Sequence, residues 1–188
     1  MKSTDNLQTK QSHGFTLIEL LVAVVLFGIL AAIAVPNFAE IIRSERLVTQ
    51  NNDLISDIAF ARAEALRRGG RVTICPTADQ LTCSTDWAQG RLVFSDFDRD
   101  MEVTSGGTTP DEILRVRGVL PGSNTLVWSG LTQRLQFRGS GLPNSVNFDG
   151  GTLRETFKLC DGALANRGRL ITVTTLGTYE TTRSVTCP

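Results

Sequence analysis

Glu19 lies in GFTLIELLVAVV, residues 14–25, the only charged group in an otherwise apolar stretch. A carboxylate carried into hydrocarbon costs at least ~2.5 kcal/mol on insertion scales, so it is expected to have a partner or a task. The plainer alternative is a side chain that snorkels to the headgroups at a membrane edge. A second group of reactive residues is Cys75, Cys83, Cys160 and Cys187, an even set falling into an early and a late pair. Outside the cytoplasm such a set reads as disulfides. Zinc is the rival, but the seven residues between Cys75 and Cys83 exceed the spacing of a zinc knuckle, and the sole histidine, His13, lies across the apolar run. More than one connectivity is open; the local one, Cys75 with Cys83 and Cys160 with Cys187, is the expectation, each closure contributing about 2–4 kcal/mol.

Asp96-Phe97-Asp98-Arg99-Asp100-Met101-Glu102 alternates acids as a calcium loop does. The EF-hand form wants glycine at its sixth position and an acid at its twelfth, and here these are Met101 and Gly107. Asp-rich turns also cap neighbouring strands through side-chain bonds to backbone. The expectation is therefore a turn without metal, with Asp96, Asp98 and Asp100 as weak candidates for one. Late in the chain Arg167, Arg169 and Arg183 form a basic cluster that could neutralise phosphates, with affinity falling steeply in salt. No catalytic constellation assembles: there is no nucleophile–base pair around a histidine and no Gly-rich phosphate loop. No enzyme activity and no cofactor are expected. Trp87 and Trp128 read as core or interface aromatics rather than ligand platforms.

Composition bounds these readings. The chain has 188 residues and balanced charge, with 19 Lys or Arg against 19 Asp or Glu. Beyond residue 14 the basic residues are arginines except for Lys158. Such an excess fits anion recognition through the planar guanidinium, or ordinary surface pairing with acids, the plainer reading.

The elements that position these residues follow from periodicity. Leu20–Val35 holds no charged or strongly polar residue, and Phe15–Ile18 extends the run to about 20 residues, enough to cross a hydrocarbon core as a helix. Lys2 and Lys10 before it suit the cytoplasmic side. A secretory signal with a cut near Ala31-Ala32-Ile33-Ala34 is the rival. Glu19 inside the would-be apolar core argues against it, and so does a helical pattern that continues past the cut. From Asn37 to Arg68, Phe38, Ile41, Ile42, Leu47, Leu54, Ile55, Ile58, Ala61, Ala65 and Leu66 recur mostly at three- and four-residue spacings. Pro36 is expected to kink this helix and Gly69-Gly70 to stop it. At ~1.5 Å per residue, Phe15–Arg68 would be on the order of 80 Å long, so its first half would project from any globular body.

After Gly70 the pattern turns to short β-branched runs between Gly, Pro, Asn and Asp clusters. Strands are predicted at Arg71–Cys75, Arg91–Ser95, Glu112–Arg117, Thr125–Trp128, Gln133–Phe137, Ser145–Phe148, Thr156–Cys160 and Arg169–Thr174, paired antiparallel. The fold class is α+β: a long N-terminal helix, its first half membrane-spanning, packed by its second half on antiparallel sheet.

Gly14-Phe15-Thr16-Leu17-Ile18-Glu19, followed by an apolar helix with a later Pro36, resembles the class III signal of type IV pilins and type II secretion pseudopilins. Tryptophan before GRLVFSDFDRD, the alanine-rich ISDIAFARAEALRRGGRVTIC, and late FRGSG and FKLCDG are similar to minor pilins and pseudopilins of the FimT/GspH type. This resemblance implies a leader, residues 1–14, cut after Gly14 by a prepilin peptidase, and N-methylation of Phe15. It implies a transmembrane and assembly half, 15–36, an amphipathic half, 37–70, and a periplasmic β domain of two antiparallel sheets, 71–188. The chain would be a single-pass protein of the bacterial inner membrane, later incorporated into a pilus or pseudopilus. Its partners would be other major and minor pilins or pseudopilins and the inner-membrane assembly platform. Glu19 would pair with the new terminal amine of a neighbouring subunit, two ions neutralising each other in apolar surroundings. Low-abundance subunits of this group help initiate or cap filaments. Some bind DNA through G-R-x-R near the C-terminus; this chain reads Gly177-Thr178-Tyr179-Glu180 there, so DNA is not the favoured partner.

Overall fold

The computed structural model describes residues 14–108, 110–130, 132–144, 148–149, 152–164 and 166–187. The chain divides into two compact units, Met1–Ile42 and Arg43–Pro188, and helix α1, Leu17–Arg68, runs through both.

In the first unit α1 exposes its apolar residues on every side, from Leu17 and Ile18 through Phe27 to Ile41 and Ile42. The helix is long and apolar enough to cross a membrane by length and composition. It continues as helix through Pro36.

In the second unit the same helix becomes amphipathic. Leu47, Gln50, Asn51, Leu54, Asp57, Ile58, Ala61 and Ala65 form its buried stripe, at spacings of three and four residues. Three of these are polar, which apolar periodicity alone does not anticipate, whereas Phe38, Ile41, Ile42 and Leu66 are exposed. Gly69 ends the helix at φ +62°, the left-handed conformation that a residue with a Cβ adopts at a cost.

Among the described residues nine strands follow: β1 Arg71–Pro76, β2 Arg91–Asp96, β3 Glu112–Arg117, β4 Asn124–Ser129, β5 Leu135–Phe137, β6 Phe148–Asp149, β7 Thr152–Asp161, β8 Gly168–Thr174 and β9 Tyr179–Val185. They make two antiparallel sheets, one in the order β3-β2-β1-β5, the other β4-β7-β8-β9 with β6 also paired to β7. Of the predicted Ser145–Phe148, residues 145–147 lie outside the described residues, and β6 begins at Phe148. Strand β9 was not predicted. Its sequence, YETTRSV, is exposed almost throughout and so carries no apolar alternation; pairing to β8 makes it a strand.

The core joins α1 to both sheets. Leu47, Leu54, Ile58, Ala61 and Ala65 meet Val72, Ile74, Val93, Leu135 and Phe137 of the first sheet and Leu126, Trp128, Phe157, Leu159, Ile171 and Val173 of the second. Trp87 stands edge-on to Phe157 at 4.8 Å, and Trp128 lies 4.3 Å from the same ring. Both tryptophans are core residues. The other face of the first sheet buries Cys75, Leu92 and Phe94 under Cys83, Val103 and Ile113, which is why β2 is buried along its whole length.

Cys75 is bonded to Cys83 and Cys160 to Cys187. The second bond ties the chain beyond edge strand β9 to β7, two strands inward. Gly168 leaves room for it: a Cβ there would stand 2.6 Å from Cys187 Sγ and 2.7 Å from the Val185 carbonyl.

Candidate functional site

At the start of α1, Gly14, Phe15 and Glu19 are all exposed. The Glu19 backbone N–H donates to Thr16 Oγ1 at 3.3 Å, and the Thr16 backbone N–H donates to Glu19 Oε2 at 3.4 Å. This reciprocal pair is a capping box, which satisfies two of the amide donors that the first helical turn leaves unpaired. Glu19 is thus the acid of the first turn as well as a charge in an apolar segment. The T-x-x-E spacing ahead of an apolar run announced this arrangement, but both residues read first as interruptions of that run. His13 lies outside the described residues.

The second candidate lies between β2 and β3. Carboxylate oxygens of Asp96, Asp98 and Asp100 come within 4.8 Å of one another and of a fourth, from Asp111. Asp111 is distant in sequence; it arrives because β3 pairs with β2, Ser95 opposite Glu112. The loop is also knitted by hydrogen bonds. Asp111 Oδ1 accepts from Phe97 N–H at 2.8 Å and Oδ2 from Thr104 N–H at 2.9 Å. Asp100 Oδ1 accepts from Glu102 N–H at 2.7 Å. Asp96 Oδ2 accepts from Thr73 Oγ1 at 2.9 Å, from Met101 N–H at 3.2 Å, and from Gln136 Nε2. Burial pushes the Asp96 carboxyl above its ordinary range against these bonds, and the Asp111 charge adds to the push.

The late arginines divide. Arg169 on β8 and Arg183 on β9 are register partners and line one cleft together with Glu45, Asn51, Asn52 and Thr181. Arg167 is exposed in the turn before β8. Gly177 and Thr178 form the β8–β9 turn, where Thr174 N–H donates to the Thr178 carbonyl; Glu180 follows on exposed β9.

Other arginines serve the interior. Asp57, fully buried on the stripe of α1, receives Arg91 Nε at 2.6 Å, Arg115 Nη1 at 2.9 Å and Arg117 Nε at 3.4 Å. Burial pulls the Arg91 guanidinium below its ordinary value, while the Asp57 charge opposes the shift. Arg115 also lies 3.9 Å over the Phe60 ring. Part of the arginine excess therefore clamps β2 and β3 to the helix, a role that surface pairing had not covered.

A long helix capped by Thr16 and Glu19, packed on two antiparallel sheets, is the frame in which comparison with known proteins is informative. The family described as Type II transport protein GspH matches residues 50–177, well over half of the chain. The chain belongs to the GspH family. The prokaryotic N-terminal methylation motif matches residues 9–35 of this GspH-family chain, the segment that holds Gly14, Phe15 and Glu19. Two relatives from Pseudomonas aeruginosa, each named Fimbrial protein, are 27% identical over 114 residues, covering 61% of this chain and 73% of theirs. The crystal structure of the type IV minor pilin FimU from Pseudomonas aeruginosa resembles it with a TM-score of 0.53 and 19% identity, over 77% of this chain and 93% of that one. That likeness is one of fold: a single long helix against two antiparallel sheets. The chain is a minor pilin or pseudopilin, a member of a family of structural subunits.

Proposed function

We propose that this chain is a minor subunit that helps to initiate or cap a type IV pilus, entering the filament by packing of its N-terminal helix. The observation that carries the reading is Glu19, held by a capping box in the first turn of an apolar helix. Cleavage between Gly14 and Phe15 by a prepilin peptidase on the cytoplasmic face, with N-methylation of Phe15, leaves a cationic amine beside that turn. Glu19 Oε2 is taken by Thr16, and Oε1 makes no hydrogen bond among the described residues. The carboxylate is thus already oriented and has an acceptor for the amine of a neighbouring subunit. Pairing neutralises both charges in apolar surroundings and sets the axial register of adjacent helices. Before assembly the chain waits in the inner membrane, single-pass, with its sheets in the periplasm, where it meets other pilins and the assembly platform. It contributes contacts and shape, not catalysis.

Glu19→Ala tests the reading in the native cell. Cleavage after Gly14 is expected to be intact, while the amount recovered in sheared filaments drops at least about tenfold, since removing one partner of a buried ion pair costs ~3–5 kcal/mol. Normal incorporation of the variant would end the charge-pairing account.

A second reading, a minor pseudopilin of a type II secretion system, is favoured by the description of the matched family. Crosslinking in the native cell discriminates the two, by capture of pilus subunits or of secretion components. DNA binding has less support: Arg169 and Arg183 share their cleft with Glu45, and Glu180 follows the β8–β9 turn.

A further inference from the structure

We propose that the cleft between α1 and the β8–β9 pair docks an acidic peptide segment of a neighbouring subunit, with a carboxylate held between Arg169 and Arg183. The proposal rests on the assembly reading above and names a second contact for it, in the globular unit. The first observation is the pair of charges. Arg169 and Arg183 lie directly opposite each other on adjacent strands, and neither forms an ion pair among the described residues. Like charges so placed destabilise a sheet. A carboxylate seated between them replaces that repulsion by two charge-assisted contacts. The second observation is how β9 brings them together. Gly168 pairs with Val185, so an even ladder would set Arg169 opposite Ser184. Instead Ser184 is skipped in the register, at φ +60°, and Arg183 takes its place. Side chains alternate between faces, so this bulge carries Arg183 onto the face of Arg169. A residue with a Cβ adopts that φ at a cost, and the result is two adjacent cations, which sheet stability alone does not call for.

The third observation comes from α1 and does not involve charge. Asn51 lines the same cleft and is 7% exposed, yet its Oδ1 is buried without a hydrogen-bond partner. The other polar residues of the buried stripe are satisfied. Gln50 accepts from Asn124 Nδ2 at 2.6 Å and donates to the Pro121 carbonyl at 3.2 Å, and Asp57 holds three guanidinium groups. A buried acceptor left open in this way calls for an N–H from outside. The two demands together select the ligand. The arginines take an anion, and Asn51 takes a donor. A peptide segment carries both, as a side-chain carboxylate and a backbone amide. A phosphodiester offers acceptors alone, so it would leave Asn51 unsatisfied and set its charge against Glu45 on the cleft wall. The cleft holds about 480 Å³, room for a short segment rather than a single ion.

Fluorescence anisotropy of the full chain in detergent with a labelled peptide of alternating Glu and Gly tests the cleft, at about 0.15 M salt, where the Debye length is ~8 Å. Binding is expected below about 1 mM, with the matching Gln and Gly peptide and an oligodeoxythymidylate of equal charge at least about tenfold weaker. Arg183→Gln, a change at an exposed residue, should weaken the acidic peptide at least about tenfold and keep the melting temperature. Asn51→Ala should weaken it at least about threefold while the melting temperature holds or rises, because Ala is the better helix former and Oδ1 has no bond to lose. Arg99→Gln, which removes an exposed charge elsewhere, should bind as wild type does. In the native cell Arg183→Gln should lower incorporation into sheared filaments while Glu19 and cleavage after Gly14 are intact, so failure here is separable from failure of the helix-pairing account. No binding of the acidic peptide at about 1 mM, equal or tighter binding of the oligonucleotide, or unchanged binding by Arg183→Gln or Asn51→Ala would overturn the proposal. Normal incorporation of Arg183→Gln would overturn the neighbouring subunit as the occupant.

Discussion

Asp57 illustrates how single residues in this protein do more than their type suggests. An acid on a buried helical stripe would be costly alone, yet three guanidinium groups from β2 and β3 meet it. Asp57→Ala leaves Arg91 buried beside a cavity without its hydrogen-bonded counter-charge, so the second unit should lose about 3–5 kcal/mol of stability. Urea unfolding of the full chain in detergent, followed by the fluorescence of buried Trp87 and Trp128, measures it; a loss under about 1 kcal/mol would mean that the arginines find water or other partners. Glu19 is similarly double, at once a capping acid and the charge proposed to meet a neighbour. Its charge against an apolar run was legible in sequence, as was the T-x-x-E spacing. The Asp57 clamp was not, because an acid among the apolar positions of a helix does not say what faces it.

At the level of elements, the edge strand β9 depends on support from outside its own sequence. It has almost no buried side chain, so its stability comes from the β8 ladder and from the Cys160–Cys187 bond just beyond its end. Replacing both cysteines by serine should lower stability by about 3.5 kcal/mol, the loop-closure entropy for a separation of 27 residues. Hydrogen exchange should then rise first at 179–185, with protection at β1 and β2 retained until global unfolding. Uniform loss of protection across both sheets would show that β9 is part of the cooperative core. Helix α1 poses the complementary case. The helix carries no charged residue from Leu20 to Val35 and is amphipathic from Leu47, so composition alone divides it into a segment suited to lipid and one suited to packing on sheets.

At the scale of the whole molecule, the two units suit different solvents, one lipid and one water. The chain made in its native cell should begin at Phe15 and carry a methylated amine; mass spectrometry of the purified product decides this. A terminus at Met1, or one near position 35, would contradict the proposed processing. Sequence by itself determined the apolar helix, the signal around Gly14, Phe15 and Glu19, the helical stripe and most of the strands, because these depend on periodicity and spacing within short windows. It also brought Asp96, Asp98 and Asp100 to notice. Only the tertiary structure decided that Asp111 joins them, that Asp57 gathers Arg91, Arg115 and Arg117, and that exposed YETTRSV is a strand. Each of those depends on which strands become neighbours, and such pairing is set by the burial of a shared core between segments far apart in the chain, which no local pattern encodes.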